Sequence, residues 1–375
     1  MNQLSAINPG AEMVQPTNYI PQDGTPNVQV DINIPQQIGK YKITKKVGAG
    51  AFSQVFAVID TVTGEQKICV KIISKSTVHT QVDVVQLARE IKTLSSISHE
   101  NVIKFIDFGE DEFNYYIFQE LSDGASLLKF VMAAAKPLSE SLSRIIFKQL
   151  INVLIFLHSN GIYHRDIKLE NILINTDKTI KLIDFGFCAF ESGDSLLKTI
   201  CGSLRYLAPE CIKGEAYSGA LVDVWSAGVV LFVMITNIMP FNGSSQPQII
   251  KNIIEGNYEI PDFVSLKCAD LIKRIFVIDP NQRITAEQIS SHPWMAEYMP
   301  QPINVYSDLM HRPSLPAITD RFKLSKLESS RRRSFSTKDD VCERRNTTRA
   351  PTQAPNYSRI PKMPRRVNHT FVTHD

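Results

Sequence analysis

Membrane anchors and paired cysteines are what this sequence most clearly lacks. Its longest uninterrupted apolar run, Ala227 to Ile235, is about half of what a membrane-spanning helix needs. The first residues show no basic stretch followed by an apolar one, so we expect no secretory signal. The sequence begins Met-Asn and not Met-Gly, so we expect no myristoylation. Six scattered cysteines without a C-x-x-C pair are typical of thiols in a reducing compartment. We expect an intracellular protein, cytoplasmic with a nuclear location left open, and no integral membrane association.

Proline and charge divide the 375 residues into three parts. Residues 1–39 hold five prolines, three acidic residues and no Lys or Arg. Residues 298–375 hold eight prolines and 15 basic against seven acidic residues. We therefore predict a flexible N-terminal extension (1–39), a near-neutral globular domain (40–297) and a basic, disordered tail (298–375).

Two kinds of sequence pattern, one typical of strands and one typical of helices, follow one another inside the globular domain. In the first, short β-like runs such as YKITKKV and KICVKII are separated by glycine-containing turns. One stretch there has apolar residues at helical spacing, namely Val84, Leu87, Ile91 and Leu94. Long helical patterns dominate the second. A small β-rich lobe with one helix (about 41–121) before a larger helical lobe (about 126–294) predicts an α+β fold with two lobes.

A glycine-rich turn between two predicted strands could hold a phosphate. Glycines there let backbone N–H groups approach phosphate oxygens, although many such hairpins have no ligand. A dinucleotide-binding motif is disfavoured because Ser53 replaces its third glycine and a strand follows, and no Gly-Lys-Ser/Thr follows to make a P-loop. The candidate nucleotide-binding residues of this turn are Val47, Gly48, Ala49, Gly50, Ala51, Phe52, Ser53, Gln54 and Val55.

Lys71 stands in the middle of an apolar predicted strand. An inward-pointing lysine is costly unless it is paired, so Lys71 is either a solvated lysine at an edge or the partner of an acid. Glu90, in the predicted helix that follows, could be that acid and could hold the lysine against the phosphates of a nucleotide. Both alternatives stay open on this pair alone.

The segments 164–171 and 184–186 are the most informative. A His-Arg-Asp-x-Lys-x-x-Asn motif follows a long predicted helix, and Asp-Phe-Gly ends a later strand. Phosphoryl transfer needs a carboxylate to accept the hydroxyl proton, ligands for Mg²⁺ and cations for the phosphates. A capped turn or a strand-ending glycine would explain one of these motifs, but not both in this order. The residues that fit the three roles, in that order, are Asp166, then Asn171 with Asp184, then Lys71 with Lys168.

With these motifs, the sequence resembles the eukaryotic protein kinases over about residues 41–294. The glycine-rich loop, Ile-Cys-Val-Lys, the helix glutamate, His-Arg-Asp, Asp-Phe-Gly and Ala-Pro-Glu occur in the order of that family. The resemblance implies that Asp223 braces the catalytic loop and that Arg283 pairs with Glu210. It also implies ATP as phosphate donor, Mg²⁺ as cofactor and proteins as substrates.

The resemblance can be narrowed to a group. Lys168, two residues after the catalytic aspartate, is the form found in serine/threonine kinases. The stretch LLKTICGSLRYLAPE, with KLEN and HPW, is most similar to the calmodulin-kinase group, and within it to the AMP-activated and sucrose-non-fermenting-like branch. The resemblance places backbone groups of Glu120 and Leu121 at the edge of the ATP base. The side chains placed around the adenine are Val55, Cys69 and Leu173.

Three positions depart from the family pattern. Ser53 replaces the third loop glycine, as in many active kinases of this group. Cys69 replaces the alanine that usually covers the adenine, but it is small enough to admit the base. Ser126 stands where relatives often carry an acid that contacts the ribose and a substrate arginine. We therefore expect no strong preference for basic substrates unless Glu170 takes over the function of that acid.

Thr199 is the candidate regulatory residue. It lies eleven residues before Glu210, where the resembled kinases carry an activating phosphothreonine. In this family an arginine at the position of Arg165 pairs with that phosphate. A phosphate adds about −1.5 to −2 charge and three acceptor oxygens, enough to order a loop. We expect an upstream kinase to act on Thr199, the alternative being a loop that is never modified and is ordered by packing alone.

Two other interpretations remain. The chain could be a catalytically weak kinase fold that serves as a scaffold or nucleotide-binding module, but such proteins usually lose the equivalent of Lys71, Asp166 or Asp184, and all three are present. The basic tail, with arginine clusters at 331–333 and 344–345, could bind nucleic acid or an anionic membrane. Few aromatic residues are interleaved there, so nucleic acid is not the expected partner.

Overall fold

The computed structural model of the protein describes residues 34–50, 53–78, 81–134, 136–190, 197 and 201–296. The predicted tail (298–375) and most of the predicted N-terminal extension lie outside these residues. Their predicted flexibility therefore stays a prediction.

Six strands form the antiparallel sheet of the first lobe. Their order across the sheet runs from the first strand through the fourth, with the sixth strand between the fourth and the fifth. Side chains alternate between the two faces of a strand, and the apolar positions of one face make the core of this lobe. The strands are β1 (Gln37–Ile38), β2 (Tyr41–Ala49), β3 (Ser53–Asp60), β4 (Ile68–Ser74), β5 (Phe105–Glu110) and β6 (Asn114–Glu120).

The α-helix of this lobe, α1 (Gln81–Ser96), comes between β4 and β5 in the chain. It was predicted from the spacing of its apolar residues, and the structure confirms the helix. The apolar stripe is buried only in part, since Leu94 is buried whereas Val84 is exposed. Glu90 is buried as well, so the helix carries a carboxylate into the interior.

Eight helices and five short strands make up the described part of the second lobe. The helices are α2 (Leu127–Ala133), α3 (Glu140–Ser159), α4 (Pro209–Ile212), α5 (Gly219–Thr236), α6 (Gln246–Glu255), α7 (Leu266–Ile275), α8 (Ala286–Ser290) and α9 (Pro293–Ala296). The strands are β7 (Ala125–Ser126), β8 (Ile162–Tyr163), β9 (Ile172–Ile174), β10 (Ile180–Leu182) and β11 (Ala189–Phe190). A β-rich lobe followed by a helical lobe confirms the predicted two-lobe α+β fold.

Helix α5 lies at the centre of the second lobe. Almost every one of its side chains is buried, and Trp225 stacks on Phe241 with ring centroids 5.3 Å apart. Contrary to the expectation from uninterrupted apolar runs, α3 and α5 are long and apolar enough to cross a membrane by length and composition. The apolar window of α5 is 89% buried inside the protein and that of α3 56%, the burial that core helices have.

Short strands hold the two motif segments in place. β8 pairs with β11, and β9 pairs with both β10 and β7. The segment 164–171 therefore runs between β8 and β9, while 184–186 lies between β10 and β11. Both segments are fixed at each end by a strand, which places their side chains near one another.

Candidate active site

The glycine-rich turn joins β2 to β3. These strands pair up to Ala49 and Gln54, and the Gly50 N–H donates to the Ser53 carbonyl at 2.8 Å. A Cβ on Gly50 would lie 3.0 Å from the Ser53 hydroxyl, so a larger residue would crowd the turn. Of the predicted nucleotide-binding residues here, Ala51 and Phe52 lie outside the described residues.

Lys71 is paired with two carboxylates. Its ammonium on β4 lies 2.8 Å from a Glu90 oxygen of α1 and 3.5 Å from an Asp184 oxygen. Burial disfavours the charged ammonium, but Glu90 and Asp184 outweigh it and raise the pKa of Lys71. Lys71 in turn lowers the pKa of Asp184. The structure thus decides the alternative that the sequence left open: Lys71 is an inward-facing, paired cation.

Burial shifts the pKa of Glu90 in the direction opposite to its effect on the pKa of Lys71. It raises the pKa of Glu90, and the nearby Lys71 opposes that rise. A carboxylate in this setting is retained only because the ammonium is 2.8 Å away. The two charges therefore depend on each other, and their pairing fixes the position of α1 against the sheet.

Asp223 of α5 braces the segment 164–171, as the resemblance implied. Its carboxylate accepts from the backbone N–H groups of His164 at 2.9 Å and Arg165 at 2.7 Å, and contacts the His158 ring at 3.0 Å. Arg165 has a φ of 63°, a left-handed conformation that non-glycine residues rarely adopt. The two backbone N–H groups that donate to this buried carboxylate hold the unfavourable backbone in place.

The two oxygens of the Asp166 carboxylate have different surroundings among the described residues. Oδ2 accepts from the Asn171 amide at 2.9 Å and lies 2.6 Å from the Lys168 ammonium. Oδ1 is buried and has no hydrogen-bond partner among the described residues. A buried carboxylate oxygen without a partner is costly, so Oδ1 is poised to accept a hydrogen bond from an incoming group.

Lys168 and Ser203 connect this carboxylate to the segment before α4. The Lys168 ammonium donates to the Ser203 hydroxyl at 3.2 Å. Gly202 beside it has a φ of 98°, and a Cβ there would lie 2.8 Å from the Arg165 carbonyl. Only glycine permits this approach. The sequence reasoning missed Gly202, although Cys-Gly-Ser ahead of the Ala-Pro-Glu motif was a signal that could have found it.

Asp184 follows β10 and also has a left-handed backbone, with a φ of 64°. The next residue, Phe185, is fully buried and packs edge-on against the His164 ring at 4.8 Å. His164 contacts the Ile183 carbonyl through Nε2 at 3.1 Å. The aromatic contact therefore anchors the backbone that presents the Asp184 carboxylate, and His164 has a packing role.

The edge that was predicted for the ATP base needs a correction. The Leu121 N–H already donates to the Lys67 carbonyl at 2.9 Å, because the pairing of β4 with β6 continues one residue beyond the strand. The next amide, that of Ser122, donates to no group of the described residues. The Glu120 carbonyl accepts from the Cys69 thiol at 3.4 Å and retains a second lone pair. Glu120 and Ser122 are therefore the better pair of backbone groups for the base edge.

The side chains predicted around the adenine come from three strands. Cys69 on β4 is buried, while Val55 on β3 and Leu173 on β9 are half-buried. Burial raises the pKa of the Cys69 thiol to about 12, so it acts as a neutral apolar group. Small or aliphatic side chains of this kind can line the sides of a flat apolar ligand.

Ser126 and Glu170 occupy the region that was discussed for substrate contacts. The Ser126 hydroxyl accepts from the Lys129 N–H at 3.3 Å and caps α2, which gives this departure from the family pattern a structural role. The Glu170 carboxylate accepts from the Tyr206 hydroxyl at 3.5 Å. Glu170 is exposed beside the catalytic segment, as its predicted substitute function requires.

Arg165 is described, but Thr199 lies outside the described residues. The Arg165 guanidinium is buried and donates to the Phe187 carbonyl at 2.7 Å and to the Tyr217 hydroxyl at 3.3 Å. These bonds use Nε and Nη1, and Nη2 has no acceptor in the part of the chain that the structure describes. The pairing of Arg165 with a phosphate on Thr199 stays a prediction.

Comparison with known proteins identifies the family. The sequence model of the protein kinase domain matches residues 41–295. Over 259 residues the chain is 36% identical to the probable serine/threonine-protein kinase MARK-A of Dictyostelium discoideum, which covers 69% of this chain and 24% of that protein. It is 37% identical over 289 residues to the serine/threonine-protein kinase ppk25 of Schizosaccharomyces pombe (76% of this chain, 66% of that protein).

A plant protein gives a similar match. The CBL-interacting serine/threonine-protein kinase 17 of Arabidopsis thaliana is 37% identical over 269 residues, which cover 70% of this chain and 62% of that protein. The chain thus spans between 24% and 66% of the length of these three relatives. Since the family match takes in most of the chain and both lobes, the chain belongs to the protein kinase domain family, as the motifs predicted.

Proposed function

We propose that the protein transfers the γ-phosphate of ATP to serine and threonine hydroxyls of protein substrates. The observation that carries the proposal is the Asp166 carboxylate, whose Oδ2 is held by Asn171 and Lys168 while the buried Oδ1 has no partner among the described residues. A substrate hydroxyl would donate to Oδ1, which orients it for attack and takes its proton.

Two lysines supply positive charge on either side of that carboxylate. Lys71, fixed by Glu90 at 2.8 Å, would bind the α- and β-phosphates of ATP. Lys168, 2.6 Å from Asp166, would stabilise charge on the transferred group. Lys71 is paired with Glu90 and Lys168 with Asp166, and these contacts, which limit the movement of both ammonium groups, support the two roles.

The donor set around Asp184 fits Mg²⁺. This ion is usually held by one or two protein ligands together with substrate phosphates, and Asn171 and Asp184 are a set of that size. The Asn171 amide nitrogen donates to the Asp166 carbonyl and carboxylate, both at 2.9 Å, which leaves its Oδ1 as the atom for a cation. Asn171 and Asp184 would hold Mg²⁺ there, and the ion would supply positive charge for the phosphates of ATP.

Regulation by phosphorylation of Thr199 is part of the proposal. An upstream kinase would modify Thr199, and the Arg165 Nη2 would bind the phosphate. The alternative of a scaffold without phosphotransfer is not favoured, because every residue that the reaction needs is present. Protein substrates inside the cell are the partners that this chemistry requires.

The test is a phosphorylation assay of the purified protein on a peptide library containing serine, threonine and tyrosine acceptors. We expect serine and threonine peptides to be modified, and Asp166→Asn to lower turnover by about 10²–10⁴-fold while ATP binding persists. The matched control is Glu112→Gln, which likewise replaces a carboxylate by an amide, at an exposed position in the turn between β5 and β6. Turnover near that of the control in Asp166→Asn would contradict the proposal.

A further inference from the structure

The helical lobe carries a pocket of about 360 Å³ with a mostly apolar lining, in which Lys136, Ser139 and Glu140 are the polar residues. Its walls come from the connection between α2 and α3, the first residue of α3, the end of α5 and the segment that precedes α7. The apolar side chains among them include Leu138, Ile235, Phe263 and Val264. None of the lining residues belongs to the predicted nucleotide, metal or catalytic sets.

Two large apolar side chains are exposed here, one in the lining of the pocket and one two residues beyond its last lining residue in the sequence. Phe263, which lines the pocket, is 65% exposed, and Leu266, at the start of α7, is 90% exposed. A single exposed apolar side chain on a protein surface is ordinary, but an aromatic ring beside an apolar pocket is a site that another apolar group can cover.

The rim of the pocket is tied to the last described helix. The Glu140 carboxylate accepts from the Ser265 N–H and hydroxyl, each at 2.7 Å, and from the Trp294 indole N–H at 2.8 Å. Arg144 reinforces this corner by donating from Nε to the Trp294 carbonyl at 2.6 Å. Trp294 lies in α9 and contacts Glu140, which lines the pocket. The last described residue, Ala296, follows it by two positions.

The chain that follows has a composition that suits the pocket. Residues 298–306 read YMPQPINVY, so seven of nine are apolar or proline and none is charged, whereas the rest of the predicted tail is rich in arginine. Prolines at 300 and 302 favour extended backbone in and before them. Nine extended residues reach about 30 Å, far more than the width of the pocket.

We propose that residues 298–306 dock in this pocket and cover Phe263. Tyr298, Met299 and Ile303 are the side chains that would enter it. Docking would link α9 to α3, α5 and the segment that precedes α7, and the flexible part of the predicted tail would then begin after residue 306 and not at 298. This inference concerns a surface outside the active site and does not depend on phosphotransfer.

The direct test places the photo-crosslinking amino acid p-benzoylphenylalanine at Phe263 of the purified full chain. We expect an intramolecular cross-link to the peptide that contains residues 298–306, at every protein concentration. The matched control carries the same group at Phe113, which is 52% exposed in the first lobe, and should not react with that peptide. Cross-links between two chains that increase with concentration would overturn the proposal in favour of a second copy.

A second measurement changes side chains in the segment 298–306, which is the other side of the proposed contact. In the full chain with p-benzoylphenylalanine at Phe263, the double change Tyr298→Ser and Met299→Ser removes two apolar anchors. The ratio of docked to undocked chain should fall at least about tenfold, because burial of one such side chain is worth more than a tenfold change in an equilibrium. An unchanged cross-link yield, or a Phe263 position that reacts only with other segments, would overturn the proposal.

Discussion

The Arg283 guanidinium binds both oxygens of the Glu210 carboxylate, with Nη1 2.7 Å from Oε1 and Nη2 2.9 Å from Oε2. Both side chains are buried. Nε also donates to the Val277 carbonyl and Nη1 to the Leu221 carbonyl, and the guanidinium lies 4.9 Å from the centroid of the Trp225 ring. This pair joins the segment that carries the Ala-Pro-Glu motif to the centre of the helical lobe.

Breaking this pair should destabilise the protein strongly. Arg283→Met leaves the Glu210 carboxylate buried without a partner, which costs about 3–5 kcal/mol. We expect the free energy of unfolding, measured in urea, to fall by that amount. The double variant with Glu210→Met should lose less than the sum of the two single variants, because it leaves no unpaired buried charge.

A surface pair provides the matched control for that experiment. Arg274 and Asp270 are 2.9 Å apart on α7, and both are more than half exposed. Exposed pairs of this kind contribute at most about 1 kcal/mol. Arg274→Met should therefore change the free energy of unfolding little, and equal losses in Arg274→Met and Arg283→Met would contradict the importance given to burial.

The pairing of Lys71 with Glu90 predicts how activity depends on Mg²⁺. In Glu90→Gln the ammonium loses the negative charge 2.8 Å away, and Asp184, at 3.5 Å, is then the carboxylate that remains beside it. Lys71 should then compete with the cation for Asp184, so the Mg²⁺ concentration for half-maximal activity should rise. Lys71→Met should lower kcat/KM by about 10²–10³-fold, as loss of a charge-stabilising donor does, without that rise.

The control for the lysine change is Lys75→Met, since Lys75 makes a partly exposed pair with Glu110. Steady-state kinetics at varied Mg²⁺ and ATP distinguish these variants. An unchanged Mg²⁺ requirement in Glu90→Gln would show that Glu90 does more to position α1 than to keep Lys71 away from Asp184.

Sequence periodicity was sufficient for α1 and for the order of a β-rich lobe before a helical lobe, but it could not decide the side-chain partners. Lys71 and Glu90 are 19 residues apart, and their 2.8 Å contact depends on how α1 packs on the sheet. The spacing of apolar residues predicts which face of α1 is buried, but it gives neither the tilt nor the height of the helix. The choice between a paired and a solvated Lys71 therefore needed the structure.

The base edge shows the same limit at the scale of one residue. Whether Leu121 or Ser122 has a free N–H depends on where the pairing of β4 with β6 ends, and element boundaries are the least certain part of a prediction from sequence. Gly202 was missed for a different reason. Its close approach to the Arg165 carbonyl joins two segments that are far apart in the chain, and no local pattern reports such a contact.

The Arg165 side chain gives a test of the proposed switch at Thr199. Unmodified protein should have low activity, and phosphorylation of Thr199 should raise kcat/KM by about tenfold to a hundredfold, the worth of one or two charge-assisted hydrogen bonds. Arg165→Ala should abolish that gain. Kinetics of dephosphorylated and phosphorylated protein, with the modification at Thr199 quantified by mass spectrometry, provide the measurement.

Arg165 also holds Phe187 and Tyr217, so its loss could act by disordering these contacts. Tyr217→Phe removes the hydroxyl that accepts from Nη1 and leaves the guanidinium charge in place. This variant should keep most of the gain. Full activity of Thr199→Ala without any phosphate would show that the loop is ordered by packing alone.

Cys201 should be a poor nucleophile despite its position two residues after Thr199. Burial raises the pKa of its thiol to about 11, and although the nearby Arg165 lowers that pKa, burial has the larger effect. The reactive species is the thiolate. An ordinary cysteine with a pKa near 8.5 is partly ionised at pH 8. With a pKa of about 11, the Cys201 thiol would outnumber its thiolate by about 10³ to one at that pH.

The shape of the pH profile tests this directly. Alkylation of Cys201 by iodoacetamide, followed by mass spectrometry of its peptide, should be about 200-fold slower at pH 8 than that of the same peptide in urea-unfolded protein. Between pH 7 and pH 10 the rate should rise about tenfold per pH unit, because each unit raises the thiolate fraction of a group with a pKa near 11 by that factor. The unfolded control should level off above about pH 9, once its thiol is fully ionised. A folded-state profile that levels off at the same pH as the control would mean that burial does not suppress the Cys201 thiolate, and that this residue is open to oxidation beside the catalytic segment.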